Sequence, residues 1–171
     1  MIEITFFVPC YNEERYIAQT LADLMRMMRD KGISYEILVV DDGSTDSSVQ
    51  SVKMFIGEHP DIRIAHHVQP VNLGLGCNYL QFAKEAKGDY YMLVNGDNDI
   101  PMGSLAYIVE NRKRAEIIIP FVENQEDRPW IRRSLSYFFT FLVNALSGNK
   151  LKYYNGPVLQ DRKSTRLNSS H

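Results

Sequence analysis

Apolar residues along the first 120 or so positions alternate between two spacings. Ile2 to Val8 and Glu36 to Val40 are short β-branched and aromatic runs, the first ending at Pro9 and the second at Asp41-Asp42-Gly43, and both read as buried strands. Between them Ile17, Leu21, Leu24, Met25 and Met28 recur at helical spacing, with Asn12 as N-cap and Lys31-Gly32 as the stop. These segments make a first βαβ unit. Asp46 then caps a second helix through about Ile56, Ile62 to His66 is a strand, and Leu75 to Ala86 is a third helix stopping at Gly88. Tyr90 to Val94 is the next strand. A helix from about Met102 to Lys113, a strand Glu116 to Pro120 and an amphipathic or apolar helix from about Trp130 to Leu146 complete the pattern.

Strands and helices alternating through short connections predict an α/β fold, a mainly parallel sheet with helices on both faces. In such sheets ligands bind at the carboxyl ends of the strands, where the strand order reverses. The chain has 171 residues, 44% hydrophobic and 23% charged, which suits one domain with a real core and excludes a disordered or fibrous chain. That domain is read as residues 1–160. Residues 161–171, DRKSTRLNSSH, have no periodicity and resemble the in-frame translation of a short-read sequencing adapter, so they are excluded from fold reasoning. The expectation is a catalytic-size domain truncated at its C-terminus.

A formal charge of -2 without any Lys/Arg run gives nucleic acid no footing as a partner. Cys10 and Cys77 lack C-x-x-C spacing and a His cluster, so neither a disulfide framework nor a zinc site is expected, and a reduced, cytoplasmic setting fits. The N-terminus has no basic n-region or cleavage site. The run Leu135 to Leu146 is broken by Ser136, Thr140 and Asn144 and falls short of the roughly 20 residues of a membrane span.

Three polar clusters each follow a predicted strand: PCYNE at 9–13, DDGSTD at 41–46 and NGDND at 95–99. All three therefore line one edge of the sheet. Carboxylates there can accept from base N–H groups and ribose hydroxyls, while a divalent metal neutralises a diphosphate. Asn95, Asp97 and Asp99 are spaced by two, so an extended segment would turn all three side chains to one face. Taken singly, DDGS also reads as a strand-to-helix turn, with Gly43 at positive φ, and NGDND as a solvated Asx-rich turn. Their common position at one sheet edge is what favours a ligand site. His66-His67 is no metal site, because neighbours on a strand point to opposite faces.

VPCYNEE at 8–14, DDGSTD at 41–46, NLGLGCN at 72–78 and GDYYMLVNGDND at 88–99, in this order and spacing, resemble the family 2 glycosyltransferases with a GT-A fold. Within that family the chain is most similar to the polyprenyl-phosphate (dolichyl-phosphate) sugar transferases, through Trp130, Arg133 and Ser134 and the later Asn155-Gly156. The resemblance implies that Pro9, Tyr11 and Glu13 surround the base and ribose of a nucleotide-diphosphate sugar. Asp42 would contact base or ribose, with Asp41 its near alternative, and Asn72, Gly74 and Gly76 belong to a loop whose backbone approaches the donor. Asp97 would be the principal ligand of Mg²⁺ or Mn²⁺, with Asp99 beside it. Asn95 stands where the family has the first carboxylate of D-x-D, and its carbonyl oxygen remains a possible ligand.

The implied reaction inverts the anomeric centre as the acceptor attacks opposite the nucleoside diphosphate, with the metal stabilising the leaving group. Asp97 and Arg133 are the residues expected to carry it. A polyprenyl phosphate is already anionic and needs cations to hold it, for which Arg132 and Arg133 precede the apolar helix. The helix itself reads either as core or as a peripheral contact at the cytoplasmic face of a membrane. A sugar, glycan or protein acceptor would instead need a base such as Glu123, Glu126 or Asp127. An inactive nucleotide-sugar-binding fragment is the alternative from another class.

Overall fold

The computed structural model describes residues 1–118, 145 and 159–162. In chain order the elements are β1 (Ile4–Cys10), α1 (Ile17–Met28), β2 (Tyr35–Asp41), α2 (Ser48–Glu58), β3 (Ile64–Val68), α3 (Leu75–Ala83), β4 (Tyr90–Leu93) and α4 (Met102–Glu110). A 3₁₀ turn over Arg112–Arg114 leads into β5 (Ile117–Ile118), and β6 is Leu159–Asp161. They form one sheet in the order β3-β2-β1-β4-β6-β5. β1, β2, β3 and β4 run parallel, whereas β6 pairs antiparallel with both β4 and β5. The expectation of a mainly parallel sheet therefore holds, with two short antiparallel strands added at one side.

Strand alternation sorts β1 between two cores. Ile4, Phe6, Val8 and Cys10 face one side with Ile37 and Val39 of β2, where Ile17, Leu21, Leu24 and Met28 of α1 bury the helical stripe seen in the sequence. Val52 and Phe55 of α2 and Leu105, Ile108 and Val109 of α4 complete that core. Phe7, Leu38, Val40 and Tyr91 face the other side, against Phe82 of α3 and Ala86. Helices thus cover both faces.

Several boundaries differ from the sequence expectation. β3 lies two residues later than Ile62 to His66, because its register with β2 pairs Ile37 with Ile64. His66 and His67 do point to opposite faces: His67 packs 4.7 Å from the Phe82 ring, while burial pushes the half-buried His66 imidazole below its ordinary pKa. α3 ends at Ala83 instead of Ala86, and α4 at Glu110 with the 3₁₀ turn replacing its last part. Gly88 does not stop a helix. It lies where the chain presses onto β1, and a Cβ there would sit 2.4 Å from Thr5 N and 2.6 Å from Ile4 C. Thr5 Oγ1 accepts from Gly88 N–H at 2.9 Å and donates to Glu36 Oε1 at 2.7 Å, closing this buried end of the second core.

β6 was missing from the sequence pattern and crosses the boundary drawn after Gln160. Tyr90 pairs with Asp161, and Arg162 N–H donates to Asp89 O at 2.9 Å. The helix expected over 130–146, the end of the strand expected to reach Pro120, and Asn155-Gly156 lie outside the described residues.

The order β3-β2-β1-β4 reverses at β1: the first three strands step one way, and β4 returns to the other side. Such a reversal opens a crevice at the carboxyl ends of β1 and β4.

Candidate functional site

The three polar clusters meet at this edge. Residues after β1 and after β2 are stitched together by side chains: Asn12 N–H donates to Ser44 Oγ at 2.9 Å, and Glu13 N–H to Ser48 Oγ at 2.8 Å. Thr45 N–H donates to Asn12 Oδ1 at 2.8 Å, and Ser47 N–H to Glu14 Oε2 at 2.9 Å. Asn12 is therefore not the N-cap of α1, a position held by Tyr16. It sits at φ +58°, in the left-handed region that Asn tolerates, and its amide serves the neighbouring loop. Pro9 is the half-buried penultimate residue of β1, Tyr11 is exposed, and Glu13 lies half-buried at the start of the turn into α1.

Asp46 is not itself the N-cap of α2, a position held by Ser47, but from one residue upstream its carboxylate serves the start of the helix. Its Oδ1 accepts Ser48 N–H at 2.9 Å at the first residue of α2, and its Oδ2 accepts Glu14 N–H at 3.1 Å. Burial is the largest single influence and pushes its pKa up, but the Ser48 hydroxyl and these amides together outweigh it and hold the carboxyl below its ordinary value. A lowered acid pKa means stability that is present above the unfolded value and lost as pH falls through the folded one. Asp46→Asn is thus expected to lower Tm at pH 7, and the gap to the wild type to close as pH drops below the usual carboxylate range. Paired melts from pH 7 to pH 3 test this; a gap that stays constant to the acid end refutes it.

At the end of β4 the segment does not stay extended. Gly96 and Asp97 form a turn and Asn98 takes φ +57°, so strand alternation is not what gathers the acidic side chains. The turn gathers them instead: Asn95 Nδ2 donates to Asp99 Oδ1, and Asp99 N–H to Asp97 Oδ1, each at 3.3 Å. Gly96 permits this by close approach, since a Cβ would lie 2.7 Å from Pro9 O, and Thr20 of α1 donates to Gly96 O at 2.9 Å. Asn98 Nδ2 reaches Asp23 Oδ2 at 3.3 Å. Sequence reasoning missed Thr20, Asp23 and Asn98 as supports, because nothing local marks a helix residue as the anchor of a distant turn.

Electrostatics binds the clusters into one site. Burial and then the charges of Asp97, Asp46 and Asp99 push the Glu13 carboxyl above its ordinary pKa. Burial and then Asp97, by charge and by hydrogen bond, do the same for Asp99, opposed by Asn95. Carboxyls raised in part by neighbouring negative charge, as Glu13 and Asp99 are, are what a cation would relieve. Among the described residues no three Asp, Glu, His or Cys side chains form a complete metal-binding group. Asp97, Asp99 and Asn95 do carry oxygen donors, the kind that Mg²⁺ and Mn²⁺ prefer, and these ions commonly take one or two carboxylates and leave other positions to water and phosphate.

Asp41, the last residue of β2, and Asp42, which follows it, are placed differently from the clusters' exposed members. Asp41 is fully buried; its Oδ1 accepts Ser44 N–H at 2.8 Å, and its Oδ2 has no hydrogen-bond partner. Asp42 is buried too, with Oδ1 on Leu73 N–H at 2.8 Å and Oδ2 on Gly74 N–H at 2.9 Å. Asn72 is exposed and Gly74, at φ +85°, leads into α3. Arg132 and Arg133, expected to hold an acceptor phosphate, lie outside the described residues, as do Trp130, Glu123, Glu126 and Asp127.

Comparison with known proteins gives consistent findings. The family model described as glycosyl transferase family 2 matches residues 5–166. The undecaprenyl-phosphate 4-deoxy-4-formamido-L-arabinose transferase of Edwardsiella ictaluri is 23% identical over 95% of this chain and 49% of its own length. The dolichyl-phosphate beta-glucosyltransferase ALG5C of Trichomonas vaginalis is 32% identical over 54% of this chain and 28% of its own. The chain spans about half, or less, of the curated relatives it matches. Among solved structures, a mannosyltransferase from Pyrobaculum calidifontis in complex with GDP-Man and Mn²⁺ superposes with TM-score 0.68 at 21% identity, covering 96% of this chain and 46% of that one. Glucosyl-3-phosphoglycerate synthase from Mycobacterium tuberculosis, in complex with Mn²⁺, UDP and phosphoglyceric acid, gives 0.68 at 19% identity, covering 95% and 56%. These structural likenesses concern the fold.

Proposed function

Because the chain belongs to glycosyl transferase family 2 and its fold is the GT-A fold, we propose that it transfers a sugar, with inversion, from a nucleotide-diphosphate donor to a polyprenyl phosphate. The observation that carries this reading is the convergence of Glu13, Asp97 and Asp99 at the crevice where the strand order reverses. Pro9, Tyr11 and Glu13 line the base and ribose, with Asn72 and Gly74 presenting backbone from the facing loop. A divalent cation held by Asp97, with Asn95 and Asp99, supplies neutralisation of the departing diphosphate. The relatives' names speak of undecaprenyl, dolichyl and dodecaprenyl phosphate, which supports a lipid-phosphate acceptor here.

In the proposed step an acceptor phosphate oxygen bonds to the anomeric carbon as the bond from that carbon to the diphosphate breaks. That oxygen is anionic, so no residue need remove a proton from it. The task left to the protein is orientation and charge: Arg132 and Arg133 hold the acceptor phosphate, and Asp97 anchors the donor end. We place the reaction at the cytoplasmic face of a membrane, with the protein in peripheral contact. Among the described residues no helix is long and apolar enough to cross a membrane.

Calorimetric titration of the full chain with UDP and with GDP, each with and without Mn²⁺, tests the donor half. Mn²⁺-dependent binding of one nucleotide is expected, GDP favouring a mannosyl and UDP a glucosyl or hexosaminyl donor. A folded sample that binds neither overturns the reading.

A further inference from the structure

We propose that His66 is a positioning residue for the donor subsite: its Nε2 carries the ring proton and serves the buried Asp41 carboxylate on the neighbouring strand, holding the β2–α2 turn from beneath. The effect on nucleotide affinity rests on the donor reading above, whereas the state of the ring does not.

Two unmet demands lie on one face of adjacent strands. Asp41 is fully buried, and its Oδ2 has no hydrogen-bond partner among the described residues; His66 Nε2 is a buried nitrogen in the same condition. Polar atoms left unmatched in this way cost stability, so native structures pair them. In the β2–β3 register His66 pairs with Val39, and Asp41 with Val68. Alternation puts Val39 and Asp41 on one face of β2, and His66, opposite Val39, shares that face on the α2 side of the sheet. Ring and carboxylate are therefore diagonal neighbours. They do not hydrogen-bond directly, and one water between them or a small turn of the imidazole completes the link. A carboxylate only accepts, so Nε2 must be the donor, which leaves Nδ1 as the ring's acceptor.

The electrostatics agree. Burial pushes the imidazole below its ordinary pKa; of the charged groups around it Asp41 pulls it back up, while Lys53 of α2 and the adjacent His67 push it further down. The ring is thus neutral at pH 7, with a single proton to place. The other candidate donor to Asp41 is the thiol of Cys10, its partner across in β1, whose pKa burial pushes up to about 12. A thiol is the weaker donor of the two. What Asp41 holds is the root of the site. Its Oδ1 accepts Ser44 N–H at 2.8 Å, and its main-chain oxygen accepts Gln69 N–H at 2.8 Å, joining the turn after β2 to the end of β3. Ser44 Oγ accepts Asn12 N–H at 2.9 Å, which ties in the loop after β1. A carboxylate steadied at Oδ2 keeps Oδ1 on Ser44, so these loops are set before any nucleotide arrives and the ordering cost of binding falls.

The test reads the ring and the nucleotide affinity separately. Nitrogen NMR of the His66 ring in the unmodified protein needs no ligand: the Nε2–H tautomer is expected, and the Nδ1–H tautomer overturns the proposal. Asp41→Asn, which sets an NH₂ against the ring while its oxygen stays on Ser44 N–H, is expected to switch the ring to Nδ1–H. Function is read with two side chains of one length. Gln carries an NH₂ near the place of Nε2, whereas Met fills the same space without a donor. His66→Met is expected to lose about tenfold in Mn²⁺-dependent affinity for whichever of GDP and UDP binds, and to exchange the Ser44 amide faster, while His66→Gln stays within about twofold of the wild type in both. A packing role would favour Met over Gln, so a Met variant that binds as well as the Gln variant overturns the proposal. Ser44 protection that survives in the Met variant would assign the donor to Cys10 and overturn it too. Failure of the wild type to bind nucleotide would count against the donor reading alone, because tautomer and exchange report the link without it.

Discussion

Asp97→Ala is expected to abolish Mn²⁺-dependent nucleotide binding, a loss of at least about 100-fold, while leaving the circular dichroism spectrum unchanged. Asp97 is exposed on the turn after β4, so truncating it opens no cavity and removes no core contact. Its carboxylate accepts the Asp99 amide at 3.3 Å, a long bond within the same turn. Its charge, on the other hand, presses on both Glu13 and Asp99 and contributes to raising their carboxyls. An acid whose folded pKa is raised loses stability as pH climbs through that pKa, so at pH 7 this crowding costs stability instead of supplying it. Removing Asp97 therefore leaves the metal-free fold as stable as before or slightly more so. Titration with GDP or UDP, with and without Mn²⁺, on a variant shown by its spectrum to be folded separates lost ligation from lost structure. Mn²⁺-dependent binding that persists in the variant would assign the cation elsewhere.

What was legible in the sequence divides along a physical line. Periodicity is a local property, and it placed β2 to within one residue at each end and found the buried stripe of α1, Ile17, Leu21, Leu24 and Met28, while β1 runs Ile4–Cys10, two residues later than Ile2 to Val8. It also gave the clusters' position, because a polar run directly after a buried strand must emerge at that strand's carboxyl end. Side-chain direction beyond the strand was not legible. The i, i+2 spacing of Asn95, Asp97 and Asp99 suggested a shared face, yet Asn98 at φ +57° shows that a turn gathers them. Asn12 looked like a helix cap because its chemistry suits one, but its partner, Thr45, lies on a different loop. The same holds for Asp42, whose two amides come from a segment some 30 residues on. β6 was invisible for another reason: three residues, of which only Leu159 is buried, carry no period to detect. Its pairing also needs only backbone groups, so the strand can run through Asp161 whatever side chain stands there.

Gly88→Ala is expected to be the most damaging small change to the fold. Glycine at a strand approach usually means that another backbone lies where Cβ would be, and here three backbone atoms do: Thr5 N at 2.4 Å, Ile4 C at 2.6 Å and Tyr90 O at 2.9 Å. None belongs to a flexible side chain that can swing aside. Two lie in β1, whose neighbours β2 and β4 hold it in register from Ile4 onward, so relief requires the 87–89 segment to lift. Lifting it breaks the Gly88 bond to Thr5 Oγ1 and the Lys87 N–H bond to Glu36 Oε1 at 2.7 Å, leaving the buried Glu36 short of a donor. Overpacking and an unsatisfied buried acceptor together cost about 3 kcal/mol or more. In a chain of this size that is about a 10 °C fall in Tm. Gly103→Ala supplies the opposite sign: Gly103 lies within α4 with no atom within 4 Å of its Cβ position, so alanine there should stabilise by about 0.5–1 kcal/mol. Thermal melts of the two variants beside the wild type decide the matter, and a Gly88→Ala protein that melts with the wild type would mean the β1 contact yields where a backbone held on both sides should not.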